Sequence, residues 1–198
     1  MSARTVALPK VALSEPLPQI LGRRHSQRDY SAAPLTLAEL VALLWAAQGI
    51  TPRDGRRTAP SAGALYPLEL YCIVGGISGL NPGVYHYRPV PHALVLRQSG
   101  DRRVELADAA LGQDWIAVAP LVLAFAAVLQ RTTRKYGERG VRYVHMEVGH
   151  AAQNVCLMAN SLGLGSVTVG AFDDTAVQAV LQLPDSEAPL YLLPVGRQ

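Results

Sequence analysis

Only two cysteines, Cys72 and Cys156, occur in 198 residues, and they stand too far apart for a paired-thiol motif. Neither a disulfide framework nor a zinc ribbon can be written, and a reducing setting follows. Charge is scarce as well. Charged residues make up 17% of the chain, and 18 basic against 15 acidic side chains leave a net +3. That excess is too mild to define a nucleic-acid-binding surface. Lysine is almost missing, since Lys10 and Lys135 are the only two. Long apolar runs are missing too. The uncharged run from Trp115 to Gln130 is broken by Pro120 and is shorter than the roughly 20 residues of a spanning helix. Met1 to Pro18 has no apolar core and is interrupted by Pro9, Pro16 and Pro18, which excludes a signal peptide. The chain therefore reads as cytoplasmic, with no membrane and no nucleic-acid partner.

What is plentiful is core material: 49% of residues are hydrophobic, which excludes disorder and gives one enzyme-sized domain. A large core and a covered subunit interface account equally well for that fraction. Residues 1–22 carry three prolines and no sustained periodicity, and read as an extended arm ahead of a single domain over 23–198. Thr36-Leu37-Ala38-Glu39 is a capping box, followed by Leu37, Leu40, Val41, Leu44 and Ala47 at helical spacing up to Gly49. Thr51 to Ala64 is rich in Gly, Pro, Ser and Arg and predicts a long loop, of the kind that is commonly functional.

Strands are predicted at Leu68 to Val74, Val84 to Tyr87, Ala93 to Leu96, Pro120 to Leu129 (fully buried), Ser166 to Gly170 and Leu190 to Val195. Helices are predicted from a cap at Asp101 to Leu111, along the face from Val144 to Leu162, and from a cap at Asp174 to Leu181. Strands and helices mix without strict alternation, so the expected fold is α+β, a three-layer α-β-α sandwich.

Several familiar signals fail. Gly163-Leu164-Gly165 lacks the third glycine of a dinucleotide fingerprint and leads into a strand, so it reads as a helix stop. Gly75, Gly76 and Gly79 link two strands and read as a hairpin connection. Glu147 and His150 have the spacing of half a di-iron site, but the second half is missing, so no metal is expected. His86 and His92 lie on and beside a hairpin, where a packed or solvated role is the default. No nucleophile signature accompanies His145, Glu147 and His150, which disfavours hydrolysis.

Other signals survive. Arg23-Arg24-His25-Ser26-Gln27-Arg28 packs guanidinium groups, an imidazole and a hydroxyl into six residues, a composition suited to phosphate. Thr58 to Pro67 runs small residues together, so that backbone can approach a flat ligand closely. Pro194-Val195-Gly196-Arg197 puts another guanidinium beyond the last strand. Together they suit a phosphorylated planar cofactor better than a nucleic acid, because no continuous basic stripe is present.

In these residues the chain resembles the FMN-dependent nitroreductase superfamily. The likeness rests on Arg24-His25-Ser26 with Arg28, the Pro60-Ser61 loop, Val169-Gly170-Ala171-Phe172 and the closing Pro194 to Arg197. Ala59 to Pro67, Gly83-Val84-Tyr85-His86-Tyr87, Lys135-Tyr136 and Gly149-His150-Ala151-Ala152-Gln153-Asn154 are similar to its SagB-type branch, the thiazoline and oxazoline dehydrogenases. The likeness runs in order from Gly22 to the end.

The resemblance implies an intertwined homodimer and hydride exchange at the N5 atom of FMN. It implies that Arg24, Ser26, Arg28 and Arg197, with His25 alongside, hold the phosphate and ribityl chain. Pro60, Ser61, Ala62 and Gly63 would lie along the isoalloxazine edge, and Val169, Gly170 and Ala171 would offer backbone to its other side. Lys135 would be the general base and Tyr136 its assistant. The substrate would be a small molecule or a modified peptide, with NAD(P)H or oxygen as redox partner. The alternatives are an NAD(P)H-dependent nitroreductase and a flavin-binding scaffold without turnover. Two departures stand out. Ser61-Ala62-Gly63-Ala64-Leu65-Tyr66-Pro67 replaces the Ser-x-x-Asn-x-Gln-Pro-Trp type loop of other nitroreductases, and the N-terminal extension of many peptide-azoline dehydrogenases is not seen.

Overall fold

The computed structural model describes residues 5–7, 16–51 and 55–197. Its elements run β1 (Thr5–Ala7), α1 (Leu17–Arg23), α2 (Leu37–Gln48), β2 (Leu68–Val74), β3 (Gly83–Arg88), β4 (Ala93–Ser99) and α3 (Arg103–Ala109). They continue α4 (Trp115–Val118), β5 (Leu121–Ala127), α5 (Gln130–Tyr136), α6 (Arg139–Ser161), β6 (Leu164–Ser166), α7 (Asp174–Leu181) and β7 (Ala188–Arg197).

The strands form one sheet in the order β1-β4-β3-β2-β5-β7-β6, and every neighbouring pair is antiparallel. Alternation along β2 and β5 divides the core between two faces, because successive side chains of a strand point opposite ways. Leu70, Cys72, Leu123 and Phe125 face Leu40, Leu44, Val148 and Val155 of α2 and α6. Tyr71, Ile73, Val122 and Ala124 face Leu106, Ile116, Val177 and Leu181 of α3, α4 and α7. The three-layer sandwich follows. All seven residues of β5 are buried, as expected of a central strand covered on both sides.

The capping box forms as the spacing predicts: Glu39 N donates to Thr36 Oγ1 at 3.2 Å, and Thr36 N donates to Glu39 Oε2 at 2.7 Å. Other expectations need correction. Residues 1–4 and 8–15 of the presumed extended arm lie outside the described residues, but α1 occupies its end, so helical order begins before Arg23. Pro16 is the N-cap and Pro18 sits in the first turn, where a missing N–H breaks nothing. Thr5–Ala7 is extended, yet it pairs with β4 of its own sheet.

Asp101 does not cap α3 as its N-cap residue. The helix starts at Arg103, whose N–H donates to Asp101 Oδ1 at 3.1 Å. The cap of α7 is Asp173 rather than Asp174, accepting from Ala176 N at 2.8 Å. The predicted strand from Ser166 to Gly170 shortens to a continuous ladder over Leu164–Ser166, with Val169 bridged separately to Leu192. The basic segment around Lys135 is helix α5, with Arg131, Arg134 and Lys135 exposed and Arg131 donating to Tyr66 O at 3.0 Å. Among the described residues no helix is long and apolar enough to cross a membrane.

Candidate active site

Helix α6, 23 residues long, is the frame on which two of the predicted clusters are hung. In its C-terminal half, Cys156 lies near Arg24. Ser26 bridges to Ser166, Gln27 N donates to Ser166 O at 3.0 Å, and burial raises the Cys156 thiol against the pull of Ser166 and half-buried Arg24. Arg28 lies with its guanidinium 5.4 Å from the Trp115 ring. Neither Arg24 nor Arg28 faces a carboxylate partner among the described residues, so both charges are available to an anion. The His25 ring is held by Arg23 O at 3.0 Å and Gln27 Oε1 at 3.1 Å.

Arg197 behaves differently from the other arginines expected at the phosphate. Its guanidinium grips Glu39 at 2.8 and 3.0 Å, so its charge is committed to the capping box of α2. Sequence alone could not reveal this pair, because 158 positions separate its members.

The second cluster is the loop from Ala59 to Tyr66. Ser61, Gly63, Tyr66, Arg56 and Arg57 line a cleft of about 660 Å³. The backbone here is strained: φ is +63° at Gly63, +54° at Ala64 and +47° at Tyr66. Such left-handed residues persist where the surroundings over-determine them. Tyr66 N donates to Ser61 Oγ at 2.9 Å, and the Arg57 guanidinium lies 4.6 Å from the Tyr66 ring. Arg131 holds Tyr66 O and also bonds Glu69.

Lys135 and Tyr136 arrive at this loop from α5. A Cβ built on Gly63 would lie 2.8 Å from Tyr136 Oη and 3.0 Å from Lys135 Nζ. The fold therefore joins the predicted pair to the predicted loop, and a side chain at Gly63 would push on both, in a backbone conformation that itself favours glycine. Tyr136 is braced edge-on by Tyr143 of α6, with ring centroids 5.2 Å apart.

Two residues were not anticipated at this place. Glu147 of α6 is 3% exposed, its Oε1 has no hydrogen-bond partner among the described residues, and Ser61 and Arg57 are the polar groups that act on its carboxyl. Burial pushes it up to about 7, against the opposing pull of Ser61 and Arg57. Arg57 in turn is lowered by burial and held up by Glu69 and Glu147. The sequence shows Glu147 as half of a metal motif; a lone acid on the buried side of an amphipathic helix was the available signal. Among the described residues no three His, Cys, Asp or Glu gather as a metal-binding group.

Val169, Gly170 and Ala171 form a third place. Val169 exchanges both backbone hydrogen bonds with Leu192, at 2.8 and 2.9 Å, and Ala171 O accepts from Gln113 Nε2 at 2.8 Å. Gly170 opens onto a cleft of about 430 Å³ shared with His145 and Gly149 of α6 and with Tyr191. Asn154, from the motif on α6, ties two backbones together, donating to Ala46 O at 3.2 Å and Thr58 O at 3.4 Å. His86 is packed: it is 7% exposed, bonds Glu69 at 2.7 Å and stacks on Tyr71.

A strained small-residue loop, arginines without a carboxylate partner among the described residues and a central antiparallel sheet between helical layers are the features against which known proteins are compared. The model of the nitroreductase family matches residues 21–197, and the chain belongs to that family. It is 53% identical over 182 residues to MJ1384 of Methanocaldococcus jannaschii, a protein whose name assigns it to the nitroreductases; the match covers 92% of this chain and 91% of that one. It is 31% identical over 150 residues to the microcin B17-processing protein McbC of Escherichia coli, covering 70% of this chain and 53% of McbC. A crystal structure of an Anabaena variabilis protein assigned to the nitroreductases superposes with a TM-score of 0.88 at 31% identity, covering 98% of this chain and 42% of that chain. The chain thus spans about half the length of two of these relatives and nearly all of the third.

Proposed function

We propose that this chain is an FMN-dependent dehydrogenase of the SagB type, acting on a small molecule or an azoline-bearing peptide. The observation that carries the reading is the convergence of Lys135 and Tyr136 on Gly63 at the rim of the Ser61 cleft. Similarity to McbC, a processing protein, supports the same branch.

The residues present fit FMN. Arg24, Arg28 and Ser26 supply cationic and polar groups suited to a phosphate, and the glycine-bearing loop admits a flat ring. FMN, when bound, supplies the hydride acceptor. Lys135 Nζ takes the proton that leaves as the hydride departs, and Tyr136 Oη orients it. The loop backbone would shield the edge of the bound ring from water.

The phosphate-suited and loop clusters depart from α6 nine residues apart, at Cys156 and Glu147. At about 1.5 Å and 100° per residue this is roughly 14 Å along the axis and opposite sides of the helix. A second copy that brings its loop to the first copy's arginines completes the site, which supports a homodimer. Exposed Leu17, Trp45 and Met146 offer apolar surface for such a contact.

A second reading, an NAD(P)H-dependent nitroreductase, is favoured by similarity to MJ1384. Both readings expect the purified protein to be yellow, with FMN mass at about one per chain after heat release. They part at Lys135→Ala. In the dehydrogenase this variant keeps FMN and loses azoline oxidation by about 100-fold or more, the scale of a lost general base. Full turnover in that variant sinks the dehydrogenase reading.

A further inference from the structure

Gln48, the last residue of α2, is 1% exposed, and its amide is only half satisfied. Its Oε1 accepts from the Arg57 guanidinium, while its Nε2 has no partner among the described residues. A buried donor left without a partner is unfavourable and rare, so the residue that carries one calls for a reason. Here the amide orients one side chain. Arg57 is held on three sides: its backbone bridges to Ile50 just past α2, Gln48 fixes the guanidinium, and the Tyr66 ring lies 4.6 Å from it. Tyr66 is itself strained, with a left-handed backbone at φ of +47°. Its N–H donates to Ser61 Oγ at 2.9 Å and its carbonyl accepts from Arg131 at 3.0 Å.

Two locally unfavourable features thus converge on one half-buried cation in the wall of the 660 Å³ cleft. Among the described residues no carboxylate lies within ion-pair distance of Arg57, and only one of its five N–H groups has a partner. Glu69, the acid on β2, is engaged by Arg131 and His86 instead. Burial disfavours the charge of Arg57, and an anion entering the cleft would restore it.

We propose that Arg57 is a carboxylate-binding residue, and that the substrate of this cleft is a flat heterocycle bearing a carboxylate. The proposal rests on the dehydrogenase reading of the same cleft and names a substrate class for it. A guanidinium presents parallel N–H groups that match the two oxygens of a carboxylate. Gln48 and Tyr66 hold that fork in advance, so little side-chain freedom is lost when the acid arrives. Gly63 lines the same cleft, and Tyr136 Oη and Lys135 Nζ stand against it. An acid gripped at Arg57 therefore shares the cleft with the wall at which the reacting pair is placed. A free heterocyclic acid and a peptide ending in one present the same group, and the choice of probes separates them.

The test uses the full chain loaded with FMN and follows the flavin spectrum as a probe is added. The probes are thiazole-4-carboxylate, its neutral carboxamide, a tripeptide ending in thiazole-4-carboxylate, and that tripeptide with its terminal acid closed as an amide. The wild-type chain binds an acid about tenfold or more tightly than its amide, the scale of a charge-assisted hydrogen bond. Arg57→Gln binds acid and amide alike and leaves the Kd of FMN unchanged, which separates substrate recognition from a role at the flavin phosphate. Gln48→Leu is the second variant, because it keeps the cation, removes the unpartnered donor and loosens the guanidinium; its preference for acids falls while its Tm holds. Tighter binding of the peptide acid supports a chain end as the natural source, and tighter binding of the free acid supports a small molecule. No preference for acids in the wild-type chain, or an undiminished preference in Arg57→Gln or Gln48→Leu, overturns the proposal. If the chain takes up no FMN, the dehydrogenase reading falls instead, and calorimetry of the same probes on the flavin-free chain decides the role of Arg57 by the same comparison.

Discussion

Gly63 is the residue through which the loop and the Lys135-Tyr136 pair touch. A methyl group placed there would sit 2.8 Å from Tyr136 Oη, and φ of +63° disfavours any side chain. Gly63→Ala is expected to lose most turnover while far-ultraviolet circular dichroism stays that of the parent, because the collision is local to the pair. Wild-type turnover in Gly63→Ala would mean that Lys135 and Tyr136 do no chemistry at this loop. Glu147 makes a second prediction at this scale. Its folded value is raised to about 7 from an ordinary 4.5, so the folded state holds an extra proton between those limits. Stability is therefore full below about 4.5 and is lost as pH rises to about 7. Glu147→Gln, which cannot ionise, should flatten that fall in Tm between pH 5 and 8; an unchanged slope would assign the fall to other groups.

Among the elements, β5 is where sequence and structure agree most closely. Its run of apolar residues has no periodicity because both faces are covered, and that is the pattern the chain displays. Phe125 lies fully buried in it, and Phe125→Ala should lower unfolding free energy by about 3–5 kcal/mol, read from the urea midpoint. The capping box at Thr36 was equally legible, because all its partners lie within one turn. What escaped were interactions between distant positions. Ser61 acts on Glu147, and Arg197 meets Glu39; no local spacing encodes either. Prolines misled for a different reason. Pro16 and Pro18 break a helix interior but serve a helix start, and composition does not distinguish the two. The loop and the Lys135-Tyr136 pair were each legible as segments, while their meeting at Gly63 needed the fold.

At the scale of the whole molecule, the arginine cluster and the strained loop leave α6 on opposite sides, and the proposed function therefore calls on two chains to complete one site. If two chains do so together, Arg24→Ala and Lys135→Ala should each lose turnover alone. After mixing, denaturing and refolding together they should recover part of it, since one mixed site then carries both wild-type residues. No recovery would mean that each chain works with its own groups. The same sheet that supports the site also has an outer boundary to protect. β1 contributes three residues, paired to Ala93, Leu94 and Val95 at the end of β4. A strand so short offers an incoming chain few backbone groups to template on, whereas the seven residues of β4 would offer a long row. Thr5–Ala7 therefore covers three of the seven positions along that edge, and a tag or truncation that displaced it is expected to bare the whole row to edge-to-edge pairing.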